Sequence, residues 1–164
     1  VIPHVEETTV NLPATGRAWH LVSRPEGWPG PEDFALREVE VEPPGPGRLL
    51  VRNLRLSVDP YMRGRMRDRK SYVPPYRLGE PMDGGAVGEV VASAAEGFAP
   101  GDLVLHDRGW REYADVAGRK ATKVPADGPP LSTFLGVLGM TGLTAYAGVL
   151  EVGRLREGDV VFVS

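Results

Sequence analysis

The sequence predicts a loop-rich, mainly β domain that runs into the beginning of an α/β unit at its C-terminal end. Three observations carry this reading. Apolar and polar residues alternate with a period of two along several short segments, Gly and Pro clusters punctuate them, and the last residues form an unbroken apolar run. The 164 residues include 21 Gly and 16 Pro, a content that would suit collagen or a disordered linker. Both are excluded, because 41% of residues are hydrophobic and no Gly-x-y period exists. A chain of this length buries roughly two-thirds of its unfolded surface and needs no metal or disulfide staple.

Taken in order, residues 1–16 show no sustained period and read as an arm. The first strand is expected at Arg17 to Ser23. Val39 and Val41 then alternate with Glu38, Glu40 and Glu42, as on a strand with one wet face, before Pro43 to Gly47 break the chain. From Leu50 the even positions Leu54, Leu56 and Val58 are apolar and Asn53, Arg55 and Ser57 are polar, so the even face should be buried, with Arg52 as the exception. Asp59 to Asp83 carries many charges and three Pro within its Tyr72 to Pro81 stretch, which predicts a long irregular excursion of the kind that often serves function. Gly84 to Ser93, with Gly84, Gly85 and Gly88, reads as a strand closely approached by another backbone or a ligand. Leu103 to Leu105 and Trp110 to Val116 add two more strands, and regular short strands of this kind suggest a barrel or sandwich.

The pattern changes at Pro129. Leu131 to Met140 and Gly142 to Val152 have helical spacing, with Leu143, Tyr146, Ala147 and Leu150 on one face and Gly153 placed as a stop. Val160 to Val163 reads as a strand buried on both faces of a parallel sheet.

Composition excludes several function classes. Without Cys there is no disulfide framework, thiolate metal site or thiol catalysis. The net charge of −3 gives no basic field for nucleic acid, and the Arg63, Arg65, Arg67, Arg69 and Lys70 run reads as a solvated loop. No apolar stretch approaches the roughly 20 residues of a membrane span. Glu6 and Glu7 stand where a secretion signal would be apolar, so a cytoplasmic protein is expected.

Four ordered motifs carry a family resemblance: Ser57 to Met66 (SVDPYMRGRM), Ser71 to Pro75 (SYVPP), Gly109 to Tyr113 (GWREY) and Leu135 to Tyr146 (LGVLGMTGLTAY). They resemble the zinc-independent medium-chain reductases, in the branch of curcumin reductase, leukotriene B4 12-hydroxydehydrogenase and prostaglandin reductase. The resemblance implies a GroES-like bent β-barrel over 17–130. It also implies, over 131–164, two helical segments and the first strand of a truncated Rossmann domain. The glycine-rich phosphate turn of that domain would follow Ser164, so most of the NADPH site is expected beyond it, and the chain alone is expected to be inactive.

The implied reaction reduces the C=C bond of an α,β-unsaturated ketone or aldehyde, a small-molecule enone. The cofactor carries the hydride, and the protein orients the enone and stabilises charge on its oxygen. Alternatives are a quinone reductase on the same scaffold or a non-catalytic GroES-like binding module. Where zinc-dependent relatives have Gly-His-Glu this chain has Gly84-Gly85-Ala86, so no metal is expected; His4, His20 and His106 lack ligand spacing. Some plant-type relatives carry tyrosine at the Gly85 position, which implies a wider pocket here.

The resemblance places Tyr61 beside nicotinamide and substrate as a flat surface and donor, or as a rim tyrosine that only packs. Tyr72 is the leading donor to the substrate carbonyl, or else a loop staple. Arg63 is assigned to cofactor or a substrate carboxylate, or to a structural salt bridge. Asp59 is read as a loop brace. Met140, Gly142 and Thr144 would line the nicotinamide pocket, or form an ordinary helix-packing turn. A full-length homodimer is also implied, with neither nucleic acid nor membrane as partner.

Overall fold

The computed structural model describes residues 12–163. The N-terminal arm thus lies largely outside the described residues. Residues 12–14 are irregular, and β1 (Thr15–Leu21) starts slightly ahead of the expected Arg17. It pairs antiparallel with β2 (Phe34–Glu40), Thr15 opposite Glu40 and Leu21 opposite Phe34. Gly16, Ala18 and His20 of β1 face inward while Arg17 and Trp19 face out, the alternation of a strand with one covered face.

A second sheet contains β3 (Arg48–Leu56), β4 (Ala86–Ser93), β5 (Leu103–His106), β6 (Tyr113–Ala117) and β7 (Thr122–Lys123). Their spatial order is β6-β3-β4-β5-β7, with every neighbour antiparallel. The mainly β expectation holds. Among the described residues the ladders do not close into a ring; single bridges from Ala18 to Arg111 and from His20 to Pro81 tie the β1–β2 ribbon to segments beside the larger sheet.

The burial expected along β3 is corrected. Leu49, Leu50 and Val51 are all buried, whereas Leu56 and Val58 are exposed. Leu49 and Val51 stay on one face, in the same apolar cluster, and Leu50 is covered on the other; the irregularity between Leu50 and Val51 places its extra residue, Val91, on β4, while the one between Asn53 and Arg55 makes Leu54 the extra residue of β3 and shifts the alternation after it. Gly88 on β4 fits the expected close approach, since a Cβ there would stand 2.5 Å from the Arg52 carbonyl oxygen.

Two apolar clusters hold the fold. One packs Leu49, Val51, Val90, Val104, Ala114 and Val116 of the larger sheet. The other joins Leu21, Met62, Met66, Tyr76 and Met82, with Phe34, Tyr61 and Trp110 against it. Each fully buried side chain of this size contributes about 1.5–3 kcal/mol. The second cluster anchors the excursion, which is irregular except for α1 (Tyr61–Arg65).

Beyond Pro130, a 3₁₀ segment at Leu131–Leu135 replaces the expected first helix, and α2 (Met140–Tyr146) continues as a π-helical segment at Ala147–Val152. The helix stops at Val152 as expected. Gly153 itself stays right-handed, and the positive φ falls on Arg154. Leu143, Tyr146 and Leu150 are exposed. The final strand is a further correction: residues 159–163 form no strand, and Val160 is 99% exposed. A strand needs hydrogen-bonding neighbours, and no described segment supplies one. Ser164 lies outside the described residues.

Candidate active site

Asp59 braces the entry to α1. Its carboxylate accepts from the Ser57 hydroxyl at 2.5 Å, and its carbonyl accepts from the Met62 N–H at 3.0 Å. This turn delivers Tyr61 to the first position of α1, half-buried against the methionine cluster. Burial raises the Tyr61 phenol above its ordinary range, while the Arg65 guanidinium works in the opposite direction. The phenol therefore remains protonated at neutral pH and is available as a donor.

Arg65, one helical turn on, sits 4.0 Å from the centre of the Tyr76 ring, and its Nε donates to the Pro74 carbonyl at 2.9 Å. Tyr76 is buried, donates to the Asp83 carbonyl at 2.7 Å and has its pKa pushed up to about 12, chiefly by that burial. Tyr76 was not singled out in the sequence, although it follows the Ser71 to Pro75 motif directly. Its aromatic neighbour Tyr72 is 85% exposed.

Arg63 points the other way along α1. Its Nη2 donates to the carbonyls of Pro25 and Gly27, pinning the loop after β1. The basic run is therefore divided: Arg63 and Arg65 hold structure, and residues 67–70 are solvated.

Gly85 lies across from this turn. Its carbonyl accepts from the Ser57 N–H at 2.9 Å, and a Cβ on Gly85 would stand 3.0 Å from the Ser57 hydroxyl and 3.4 Å from Leu135. The next residues back form a rigid knot. Asp83 accepts from Arg111 at 2.6 Å, and Arg111 also donates to the carbonyls of Pro81 and Met82. Burial lowers the Arg111 pKa and the Asp83 charge opposes that shift. Arg111 belongs to the Gly109 to Tyr113 motif, but only the fold reveals which carboxylate it meets.

The α2 residues are engaged locally. Met140 is 75% exposed, the Gly142 N–H donates to the Gly136 carbonyl, and the Thr144 hydroxyl donates to the Met140 carbonyl at 2.7 Å. A Cβ on Gly142 would collide with the Val137 carbonyl, so this glycine serves a close approach of the chain to itself. The structure thus brings Tyr61, Arg65, Tyr76, Asp59 and Ser57 together around α1. It leaves Tyr72 and Met140 on the surface.

Two cavities flank Trp19 and Trp110. One, about 510 Å³, also touches Arg17, Asn53, Arg55 and Glu112. The other, about 320 Å³, is bounded by α1 and Met82. No helix among the described residues is long and apolar enough to cross a membrane.

Residues 17–124 match a family described as the N-terminal domain of oxidoreductase. The NADPH-dependent curcumin reductase of Escherichia coli (strain K12) is 46% identical over 148 residues, 90% of this chain and 43% of that protein. The NADP-dependent 2-alkenal reductase of Nicotiana tabacum is 41% identical over 143 residues, 84% of this chain and 42% of that protein. The crystal structure of CurA in complex with NADPH from Vibrio vulnificus superposes with a TM-score of 0.81 at 44% identity, covering 87% of this chain and 42% of that one. The chain thus spans less than half the length of these relatives. With this family match over its strands and these identities across its motifs, the chain belongs to the oxidoreductase N-terminal domains of the zinc-independent medium-chain reductases, in the curcumin and prostaglandin reductase branch.

Proposed function

We propose that the protein is the catalytic portion of an NADPH-dependent oxidoreductase that reduces the C=C bond of α,β-unsaturated ketones and aldehydes. The observation that carries this reading is the surroundings of Gly85. Zinc-dependent relatives place a ligand histidine at this position, and here a side chain would crowd the Ser57 hydroxyl and Leu135, which favours a reaction run by hydrogen-bond donors.

Donor chemistry suits enone reduction, because the charge to be stabilised develops on one carbonyl oxygen. Tyr61 offers a protonated phenol on a helix braced by Asp59, its pKa raised by burial with the Arg65 guanidinium opposing that shift. Tyr72, exposed on the loop that precedes Tyr76, is the second candidate. Arg63, through its grip on Pro25 and Gly27, fixes the position of α1.

The residues assigned to the nicotinamide end of NADPH are Tyr61, Met140, Gly142 and Thr144. Tyr61 and the exposed Met140 offer flat and flexible apolar surface, while Gly142 and Thr144 shape the turn from which Met140 projects. NADPH, when bound, supplies the hydride that reaches the β-carbon. The protein then holds the carbonyl oxygen at the phenol while the α-carbon takes a proton from solvent water.

The test is NADPH oxidation by the full-length protein with 2-hexenal and, separately, with a benzoquinone. Preferential turnover of the alkenal is expected. Preferential turnover of the quinone would favour a quinone reductase, and no turnover of either would favour a binding module.

A further inference from the structure

We propose that Arg24, in the loop after β1, is a positioning residue for enone turnover: it clasps both ends of the loop 67–75 and so fixes where Tyr72 stands beside Tyr61. The proposal rests on the enone reading, with Tyr72 as a donor.

The clasp is made on backbone carbonyls. The Arg24 Nη1 donates to the Met66 carbonyl at 3.0 Å, and its Nη2 donates to the Tyr76 carbonyl at 3.2 Å. Met66 caps the end of α1, Tyr76 follows the Ser71 to Pro75 motif, and both are buried in the same methionine cluster. Arg65 adds to the closure: its carbonyl accepts from the Tyr76 N–H at 2.8 Å, and its Nε donates to the Pro74 carbonyl at 2.9 Å. A guanidinium presents its nitrogens as a rigid planar fork, so one side chain sets the separation of the two loop ends. Arg24 is itself held in place, because the carbonyl of its neighbour Pro25 accepts from Arg63 of α1 at 3.3 Å.

Beyond this base the loop has little support. Among the described residues, residues 68–73 make no hydrogen bond to the rest of the protein, and residues 67–72 are exposed. A loop with joined ends and an unsupported tip takes its average position from its base. Tyr72 stands on that tip within electrostatic reach of Tyr61: burial is the chief cause that raises the Tyr61 phenol, and the Tyr72 phenol is a lesser cause acting in the same direction. Arg24 is thus the side chain from outside α1 and the loop that ties down both ends, and a small shift of that base displaces the Tyr72 hydroxyl from the position a transferring substrate needs.

The test uses the full-length protein with Arg24→Met and Arg24→Lys. Under native conditions, trypsin cleavage after Arg69 and Lys70 should accelerate about tenfold in Arg24→Met, while cleavage after Arg119 and Lys120, on the exposed turn that follows β6, should keep its rate. With 2-hexenal and NADPH, Arg24→Met should lower kcat about tenfold, and in a Tyr72→Phe background it should lower kcat no further. Arg24→Lys, which keeps the charge but not the fork, should show both effects to a smaller degree. Equal acceleration of cleavage at both places would reduce Arg24 to a general stabilising role and overturn the proposal. Losses that multiply in the double variant, or an unchanged kcat in Arg24→Met or Tyr72→Phe alone, would overturn it and leave the enone reading standing. A wild-type protein that turns over no enone would remove that reading and the turnover clause with it, and loop-selective cleavage would still uphold the clasp.

Discussion

The Trp110 indole rests against the α-carbon of Gly84: a Cβ built on Gly84 would stand 3.2 Å from both Cδ1 and Nε1 of the ring. The contact is interlocked with the backbone. The Gly109 N–H donates to the Gly84 carbonyl at 2.8 Å, a Cβ on Gly109 would stand 2.9 Å from that oxygen, and Trp110 is held at φ 60° with its carbonyl accepting from the Trp19 N–H. A left-handed tryptophan costs about 1–2 kcal/mol, so its neighbours must fit closely to hold it. Gly109→Ala should destabilise the protein by about 1–3 kcal/mol. The check is the urea midpoint at constant m-value, together with a change in the near-ultraviolet tryptophan dichroism.

The Asp83–Arg111 pair should respond sharply to loss of one partner. Removing one charge of a fully buried pair costs about 3–5 kcal/mol, and Asp83 is partly exposed, so Asp83→Asn should cost about 2 kcal/mol. The double variant Asp83→Asn with Arg111→Met should recover part of that loss, since no buried cation is then left without its carboxylate. A loss in the double variant equal to the sum of the losses in Asp83→Asn and Arg111→Met alone would show that the pair is not coupled.

His106 predicts a pH dependence. Its ring is buried, its Nδ1 accepts from the Arg108 N–H at 3.0 Å, and burial lowers its pKa from 6.5 to about 4. The unfolded chain therefore binds a proton more readily than the folded one between those values. Stability is full above about pH 6.5 and falls as pH drops toward 4, by about 3 kcal/mol in total. His106→Gln should flatten this part of the profile, measured as denaturant midpoint against pH. A wild-type slope retained in the variant would assign the dependence elsewhere.

The strands were legible where a short segment of strand composition stands between turns, as in β1 and β5. They were misread in β3, where both faces are covered at Leu49 to Val51 and a bulge at Leu54 shifts the alternation before Leu56, and nothing in the local pattern announces either. The run Val160 to Val163 has strand composition but no ladder partner, because pairing is a property of two segments. Of the residues the fold gathers near α1, Tyr61 and Asp59 stand in the Ser57 to Met66 motif, and Gly85 was picked out by the Gly84-Gly85-Ala86 run. Tyr76 and the meeting of Arg111 with Asp83 depend on contacts between residues far apart in the chain, which spacing does not encode.

The two tyrosines have separable predictions. If Tyr61 donates to the enone oxygen, Tyr61→Phe lowers kcat by at least about tenfold with little change in stability, the scale of one lost transition-state hydrogen bond. Tyr72→Phe should produce a loss of the same scale if its loop closes over substrate. Unchanged kcat in either variant would remove that tyrosine from the role.

The central claim is that hydride reaches the β-carbon while a hydrogen-bond donor holds the oxygen. Product analysis by proton NMR tests it most directly, using the full-length protein, NADPH and 4-phenyl-3-buten-2-one. The saturated ketone, 4-phenyl-2-butanone, is the expected product. The allylic alcohol, formed by hydride delivery to the carbonyl carbon, would contradict the assignment.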